Sequence, residues 1–140
     1  MRKSVLAVFV VLLLFSCGKK EVKQVSLDSK ISVEAFDLVE KIRDAFIKKN
    51  LVVIQQNSTE AGYRDIMANK KPYDSVELTF TPRWVEIEKE QTTLNVTWKS
   101  KWTVSGKTVA DRGMAVMVLE GRPLKVSKIL RSSPFIYPEQ

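Results

Sequence analysis

Residues 94–104 read LNVTWKSKWTV, and this stretch decides the fold. Apolar and polar side chains alternate along it, which is the period of a β-strand with one buried face and one wet face. Threonine, asparagine and lysine side chains, including Lys99 and Lys101, occupy the wet face. We therefore predict a long antiparallel strand whose buried face consists of Leu94, Val96, Trp98, Ser100, Trp102 and Val104.

Further strands are predicted on both sides of this one. Residues 75–81 alternate in the same way, but Pro82 interrupts them and the alternation resumes with opposite parity at Trp84, which predicts a bulge or corner. On the other side, Ser105-Gly106 predicts a tight hairpin turn. Residues 108–120 then return along the first strand, and residues 124–131 form the last strand.

The N-terminal half of the domain has helical periodicity instead. Phe36, Val39, Ile42 and Phe46 recur at steps of three and four, so we expect a helix over about 32–49 that Ser32 caps and Asn50 ends in a left-handed conformation. The next apolar run, 51–54, fits a buried strand or one helical turn. A short helix over 59–68, with Ser58 as its cap and Ala61, Ile66 and Met67 buried, follows. Helices before strands indicate an α+β domain with the helices packed on one sheet face.

This order of elements resembles the nuclear transport factor 2-like (NTF2-like) superfamily, in which a curved antiparallel sheet of four to five strands wraps around a long N-terminal helix as a cone. The resemblance rests on the helix ending FIKKN at 46–50, the hairpin over 98–118 and KVSKI at 125–129. It implies an NTF2-like domain over 31–137. Because the superfamily contains isomerases, dehydratases, transport factors and accessory binding domains, the fold alone implies no function.

The first 17 residues predict export. Arg2 and Lys3 precede an apolar run over 5–15 that is too short to span a bilayer, as in a secretory signal. The run ends in LFSC at Cys17, which resembles the lipobox of bacterial lipoproteins. That resemblance implies a signal peptide over 1–16, acylation of Cys17 and a flexible tether over 17–30. Gly18 after the cysteine favours the periplasmic side of an outer membrane, if the cell has one. An ordinary signal peptide with a chance cysteine is the alternative.

The amino-acid composition excludes several classes of catalytic and metal-binding site. The 140-residue chain carries a net charge of +7, or +5 without Arg2 and Lys3. In an exported protein, basic charge points to a membrane surface rather than nucleic acid, and Lys19, Lys20 and Lys23 follow the predicted anchor. The chain has no histidine and a single cysteine, which excludes histidine-dependent nucleophiles, the histidine-dependent dehydratases and the usual zinc sites. We expect no cofactor and no metal.

An enzyme is the less favoured hypothesis. Ketosteroid-isomerase-like enzymes, which the fold resembles, place a carboxylate base and a tyrosine in the cone, and Tyr63, Asp65 and Asp111 are the available groups. Tyr63 and Asp65 are two residues apart on a helix and point about 200° apart. Asp111 and Arg112 point to opposite sheet faces, and one of them is expected to pair with Glu77 or Lys101. An isomerase or lyase nevertheless stays as the alternative function.

Binding without catalysis is the favoured hypothesis. Aromatic side chains beside an arginine are typical of ligand pockets and of partner surfaces. Trp98 and Trp102 share the buried face and are expected in the core, whereas Trp84 beside Arg83 is a candidate partner anchor. The ligand is either a small apolar molecule or an envelope protein. Phe135-Ile136-Tyr137 is expected to close the end of the sheet. The polar outer face at Lys99 and Lys101 predicts a monomer. The candidate pocket or partner residues are Tyr63, Arg83, Trp84, Trp98, Trp102, Asp111 and Arg112.

Overall fold

The computed structural model describes residues 26–139, so Cys17, the predicted signal peptide and most of the predicted tether lie outside the described residues. The described chain forms three helices followed by four strands. The helices are α1 (Leu27–Ile47), α2 (Leu51–Gln56) and α3 (Glu60–Ile66), and the strands are β1 (Ser75–Ile87), β2 (Gln91–Val104), β3 (Lys107–Glu120) and β4 (Lys125–Arg131). No helix within these residues is long and apolar enough to cross a membrane.

Helix α1 begins earlier than the sequence pattern predicted. Ser26 is the N-cap, and its hydroxyl accepts a hydrogen bond from the Ser29 amide. The predicted cap Ser32 lies inside the helix, where its hydroxyl donates to the Asp28 carbonyl at 2.8 Å. Residues 27–30, predicted as tether, are therefore helical. The first helix supplies Val39, Ile42 and Phe46 to the core, as predicted.

The left-handed residue after helix α1 lies one position before the predicted one. Lys49, rather than Asn50, has the left-handed conformation, with φ of 54°. Asn50 instead caps α2, and its side chain accepts a hydrogen bond from the Val53 amide. Because a cap directs the chain into a new helix, residues 51–54 form a helical turn and not a strand.

Helix α3 packs unusually close to the sheet. Thr59, rather than Ser58, is its cap. Gly62 is buried against β4 and Ala61 is exposed, opposite to the predicted burial of Ala61. A Cβ atom at Gly62 would collide with the backbone carbonyl of Val126. The pattern of apolar side chains predicted that Ala61 is buried. Glycine has no side chain and so cannot contribute to such a pattern, and the burial of Gly62 was not predicted.

The four strands form one antiparallel sheet in the order β1-β2-β3-β4. The register places Trp98 of β2 opposite Phe80 of β1 and opposite Gly113 of β3. The pairing of β1 with β2 shifts between Pro82 and Trp84, which confirms the predicted bulge. The inner face of this sheet packs against the helices and holds the core.

The segment before α3 bonds to the outer edge of β4, whereas part of β3 has no strand on its β4 side. Beyond β4, the amide of Thr59 donates to the Val126 carbonyl, and the Val126 amide donates to the Asn57 carbonyl. Strand β3, however, pairs with β4 only over residues 115–120. In the described chain, Lys107–Gly113 therefore has a strand on one side alone.

Candidate functional site

The interior of the cone, where a pocket would lie in this architecture, is occupied by aromatic rings. The Phe46 ring of α1 lies 4.8 Å from the Phe135 ring, and Tyr73 lies 4.8 Å from Trp102, centroid to centroid. Phe80 contacts Phe135 at 6.0 Å. Trp102 and Phe135 are fully buried. This cluster fills the space between the long helix and the sheet with side chains of the protein itself.

The C-terminal segment supplies part of that filling. Arg131 has φ of 66°, and the chain leaves the sheet there. Phe135 then enters the core, and the Tyr137 amide donates to the Asn69 side chain at 3.2 Å. The tail was predicted only to close the end of the sheet; the structure shows that Phe135 is a core residue.

Trp98 and Trp102, predicted as core, are both buried. The indole of Trp98 covers Gly113, where an added Cβ atom would lie 2.6 Å from the ring. Its Nε1 donates to the Ser132 carbonyl at 2.9 Å. Trp98 thus joins the centre of the sheet to the segment that leaves it.

Tyr63 and Asp65 have separate structural contacts. The Asp65 carboxylate accepts a hydrogen bond from the Ile129 amide of β4 at 2.9 Å. Tyr63 is partly buried and packs against the core. No hydrogen bond joins the two side chains among residues 26–139, and each has its own place in the packing of α3.

Asp111 and Arg112 do not make the predicted ion pair with Glu77 or Lys101. In the register of the sheet, Asp111 lies opposite Ser100 and Arg112 lies opposite Lys99. The Asp111 carboxylate accepts a hydrogen bond from the backbone amide of Arg112 at 2.8 Å. The expected ion pair is wrong because the register brings Ala110, a residue without charge, opposite Lys101.

Arg83 and Trp84 lie at the bulge of β1. Trp84 is 50% exposed, as expected for a candidate partner anchor. It heads a row that crosses the outer face of the sheet through Asn95, Val116 and Leu130. Leu130 is also exposed, so the outer face is more apolar than the lysine-rich β2 sequence indicated. Periodicity within one strand could not reveal a row made by four strands.

Three buried polar atoms on the inner face of β2 have no hydrogen-bond partner within residues 26–139. They are the indole Nε1 of Trp102 and the hydroxyl oxygens of Ser100 and Thr92. An unpaired buried donor costs about 1–3 kcal/mol.

A groove of about 440 Å³ opens at the rim of the cone, and sequence reasoning missed it. Phe46, Met67 and Tyr73 are among the residues that line it, together with Lys49 and the exposed pair Lys70 and Lys71. The Lys49 ammonium lies 4.8 Å from the centre of the Tyr73 ring. Burial raises the pKa of Tyr73 above the ordinary tyrosine value. The groove combines an apolar floor with cations, which suits an amphipathic anion.

No cluster of three or more histidine, cysteine or acidic side chains occurs within residues 26–139 that could hold a metal ion. The outer face of the sheet and the rim groove both carry features beyond simple packing. Neither depends on metal-binding chemistry.

A solved structure, a nuclear transport factor 2 (NTF2-like) superfamily protein from Salmonella enterica subsp. enterica serovar Typhimurium str. LT2, is similar to this chain. The TM-score is 0.65 at 13% sequence identity, over 76% of this chain and 93% of the other. No family model and no curated protein matches the sequence. At this identity the likeness shows the fold alone. With its helices packed on an open four-stranded antiparallel sheet, the chain has the NTF2-like α+β fold.

Proposed function

We propose that this protein is a bacterial envelope lipoprotein, anchored through an acylated Cys17, whose NTF2-like domain binds an envelope protein and does not catalyse a reaction. The observation that carries the binding role is the filled cone. Because Phe46, Trp102 and Phe135 occupy the interior, recognition falls to the surface of the domain. The anchor is supported by the sequence around Cys17.

The contacts of the acidic residues argue against the isomerase or lyase alternative. A general base must reach a substrate proton within hydrogen-bond distance. Asp65 is engaged by the Ile129 amide and Asp111 by the Arg112 amide.

The outer face of the sheet is the surface we assign to the partner. The row from Trp84 to Leu130 on this face has an exposed apolar side chain at each end. Met114, 40% exposed, extends the apolar area beside Arg112. Half-exposed tryptophan beside arginine is typical of residues that carry binding energy at protein interfaces.

A small ligand is the second candidate. The lysine-bearing rim groove favours it. Such a ligand would be amphipathic, with an apolar body against Met67 and an anionic group near Lys70. It would enter at the rim rather than through the sheet.

Site-specific photo-crosslinking in cells tests whether the domain binds an envelope protein or a small ligand. A photoreactive residue is placed in the full-length protein at Thr79 or Lys99 on the outer face, and at exposed Lys41 of α1 as the matched control. We expect a discrete protein adduct from the outer-face positions and none from Lys41. Absence of any protein adduct, together with a small molecule that co-purifies in native mass spectrometry, would replace the partner by the ligand.

A further inference from the structure

An open position for a strand lies beside β3. Strand β4 pairs with residues 115–120 of β3, and the chain then turns away at Arg131 toward the core. The seven residues Lys107–Gly113 continue β3 with no strand of the described chain on that side. Seven residues of β-strand span about 23 Å. An unpaired strand edge of this length is a template for a further strand.

The hydrogen-bonding direction of this edge follows from two contacts. The Met114 carbonyl accepts from the Ser132 amide at 3.2 Å, so Met114 directs its backbone groups away from β2. The Arg112 amide bonds to the Asp111 carboxylate instead of to a strand. Since alternate residues of a strand direct their backbone groups to the same side, Thr108, Ala110 and Arg112 face the open position.

The surface beside the edge is cationic. Lys99 and Arg112 lie directly opposite each other on the outer face, and like charges in this position are destabilising. Both line an open groove of about 550 Å³ at the edge, which also includes Asp111. Arg83 joins Lys99 and Arg112 around a second groove that contains no carboxylate. Within residues 26–139, the ion pairs involve only Arg43 and Arg64 as cations. Lys99, Arg112 and Arg83 are therefore not among the cations that form these ion pairs.

Building on the proposed partner-binding function, we propose that an extended acidic segment of the partner pairs with Lys107–Gly113 as a fifth strand. Its backbone bonds to Thr108 and Ala110, and its acidic side chains lie on the outer face near Arg112 and Lys99. Alternate side chains of the segment face the inner side beside Val109, so they are small or apolar. The segment therefore alternates acidic with uncharged residues.

Asp111 regulates access to this edge. Its carboxylate lies opposite Ser100 on the inner face and occupies the Arg112 amide. An incoming strand has to displace it to gain that donor. Asp111 thus discourages indiscriminate pairing, which is a common way of protecting an edge strand.

Other occupants and other edges fit less well. A second copy would bring its own Arg112 and Lys99 to the same edge and repel. Residues 18–25 carry Lys19, Lys20 and Lys23 against one acid, Glu21, so they have the same sign as the edge. The outer edge of β1 is interrupted by Pro82 and its bulge, whereas Lys107–Gly113 contains neither proline nor bulge.

The test uses full-length protein purified in detergent micelles and a fluorescent nine-residue peptide in which glutamate alternates with threonine. Binding is followed by fluorescence anisotropy and by amide hydrogen exchange. We expect exchange at Thr108 and Ala110 to slow at least tenfold with saturating peptide, while Val109, whose amide faces β2, changes little. An acidic peptide of the same composition in blocked order should bind at least tenfold more weakly.

Two pairs of variants separate backbone pairing from charge attraction. Ala110→Pro removes an edge amide and should reduce affinity at least tenfold, whereas Asp111→Ala frees the Arg112 amide and should strengthen binding several-fold. Lys99→Glu with Arg112→Glu should also reduce affinity at least tenfold. Lys125→Glu with Lys128→Glu makes the same change in net charge on β4 and should have less than a twofold effect at 0.15 M salt.

The outcomes distinguish this inference from the proposed function. Equal binding of the blocked peptide, or unchanged exchange at Thr108 and Ala110, would overturn strand addition. If the crosslinked partner is still captured at Thr79 and Lys99 in that case, partner binding stands and only the fifth strand is lost. If neither peptide nor crosslinked partner is found, both fail.

Discussion

The indole Nε1 of Trp98 donates to the carbonyl oxygen of Ser132 across 2.9 Å, and this bond fixes the place where the chain leaves the sheet. Ser132 also lies close to Gly113, whose lack of a side chain makes room for the indole. The centre of β2 therefore determines the path of the segment that carries Phe135 into the core.

Replacing Trp98 by phenylalanine should lower the free energy of unfolding by about 1–3 kcal/mol, because the bond to Ser132 and part of the packing are lost. Urea unfolding followed by circular dichroism measures it. Trp84→Phe is the matched control at an exposed site and should change stability by less than about 0.5 kcal/mol. Equal effects from the two variants would contradict the assigned role of Trp98.

Phe135→Ala should destabilise the domain by about 3–5 kcal/mol, since a fully buried ring would leave a cavity between Phe46 and Phe80. Ile136→Ala, at a neighbouring exposed position, should cost less than about 1 kcal/mol. Thermal unfolding distinguishes them readily. A tail that only covers the sheet end would give two small and similar losses.

Gly62→Ala tests the close contact of α3 with β4. In an unobstructed helix this substitution stabilises by roughly 0.5–1 kcal/mol. Here the added Cβ meets the Val126 carbonyl, so we expect the opposite sign and a loss of about 1–3 kcal/mol. Ala61→Gly, on the exposed side, gives the ordinary propensity effect for comparison. A gain of stability in Gly62→Ala would show that the helix sits further from the sheet.

Tyr73 should make stability fall at alkaline pH. Burial raises its pKa in the folded state above the unfolded value near 10. The folded protein then holds the proton more tightly, so this stabilising contribution is complete below pH 10 and is lost as pH rises through the folded pKa. Urea midpoints of wild type and Tyr73→Phe are compared at pH 8 and pH 11. Wild type should lose more stability over this interval, and parallel losses would contradict the assignment.

Cys17→Ser should release the protein from the membrane fraction, because the predicted acyl chains are lost with the sulfur. Separation of membrane and supernatant fractions followed by immunoblotting measures this. Replacing Lys19, Lys20 and Lys23 by alanine should leave the protein with the membrane, since multiple acyl chains bind far more strongly than three lysines. Membrane retention of Cys17→Ser would reject the lipid anchor.

The sheet was predictable because its signals are local. The alternation in LNVTWKSKWTV fixed which side of β2 is buried, and Pro82 marked the bulge at the correct residue. The first residue of helix α1 was harder to predict, because the side chains of Ser26 and Ser32 can both cap a helix. Only the structure shows that Ser32 bonds to Asp28 inside the helix.

The candidate site was less predictable because it depends on register between strands. Nothing in β2 or β3 alone indicates that Lys99 faces Arg112, or that Asp111 binds the adjacent amide. The insertion of Phe135 was also hidden, because a buried tail and a surface tail have the same composition. Trp84 could be identified as a candidate surface residue because the change of parity at Pro82 is visible in the sequence of β1 alone.

Because α1 already begins at Leu27, the chain between Cys17 and this helix is short. Its length limits the distance between the domain and the proposed lipid anchor. With Cys17 held in the bilayer as proposed, eight residues separate the lipid from the Ser26 cap, a reach of at most about 30 Å. A partner segment within that layer meets the domain at an effective concentration on the order of millimolar. The proposed strand addition would then need only a modest intrinsic affinity, and the partner would be released when it moves beyond this reach.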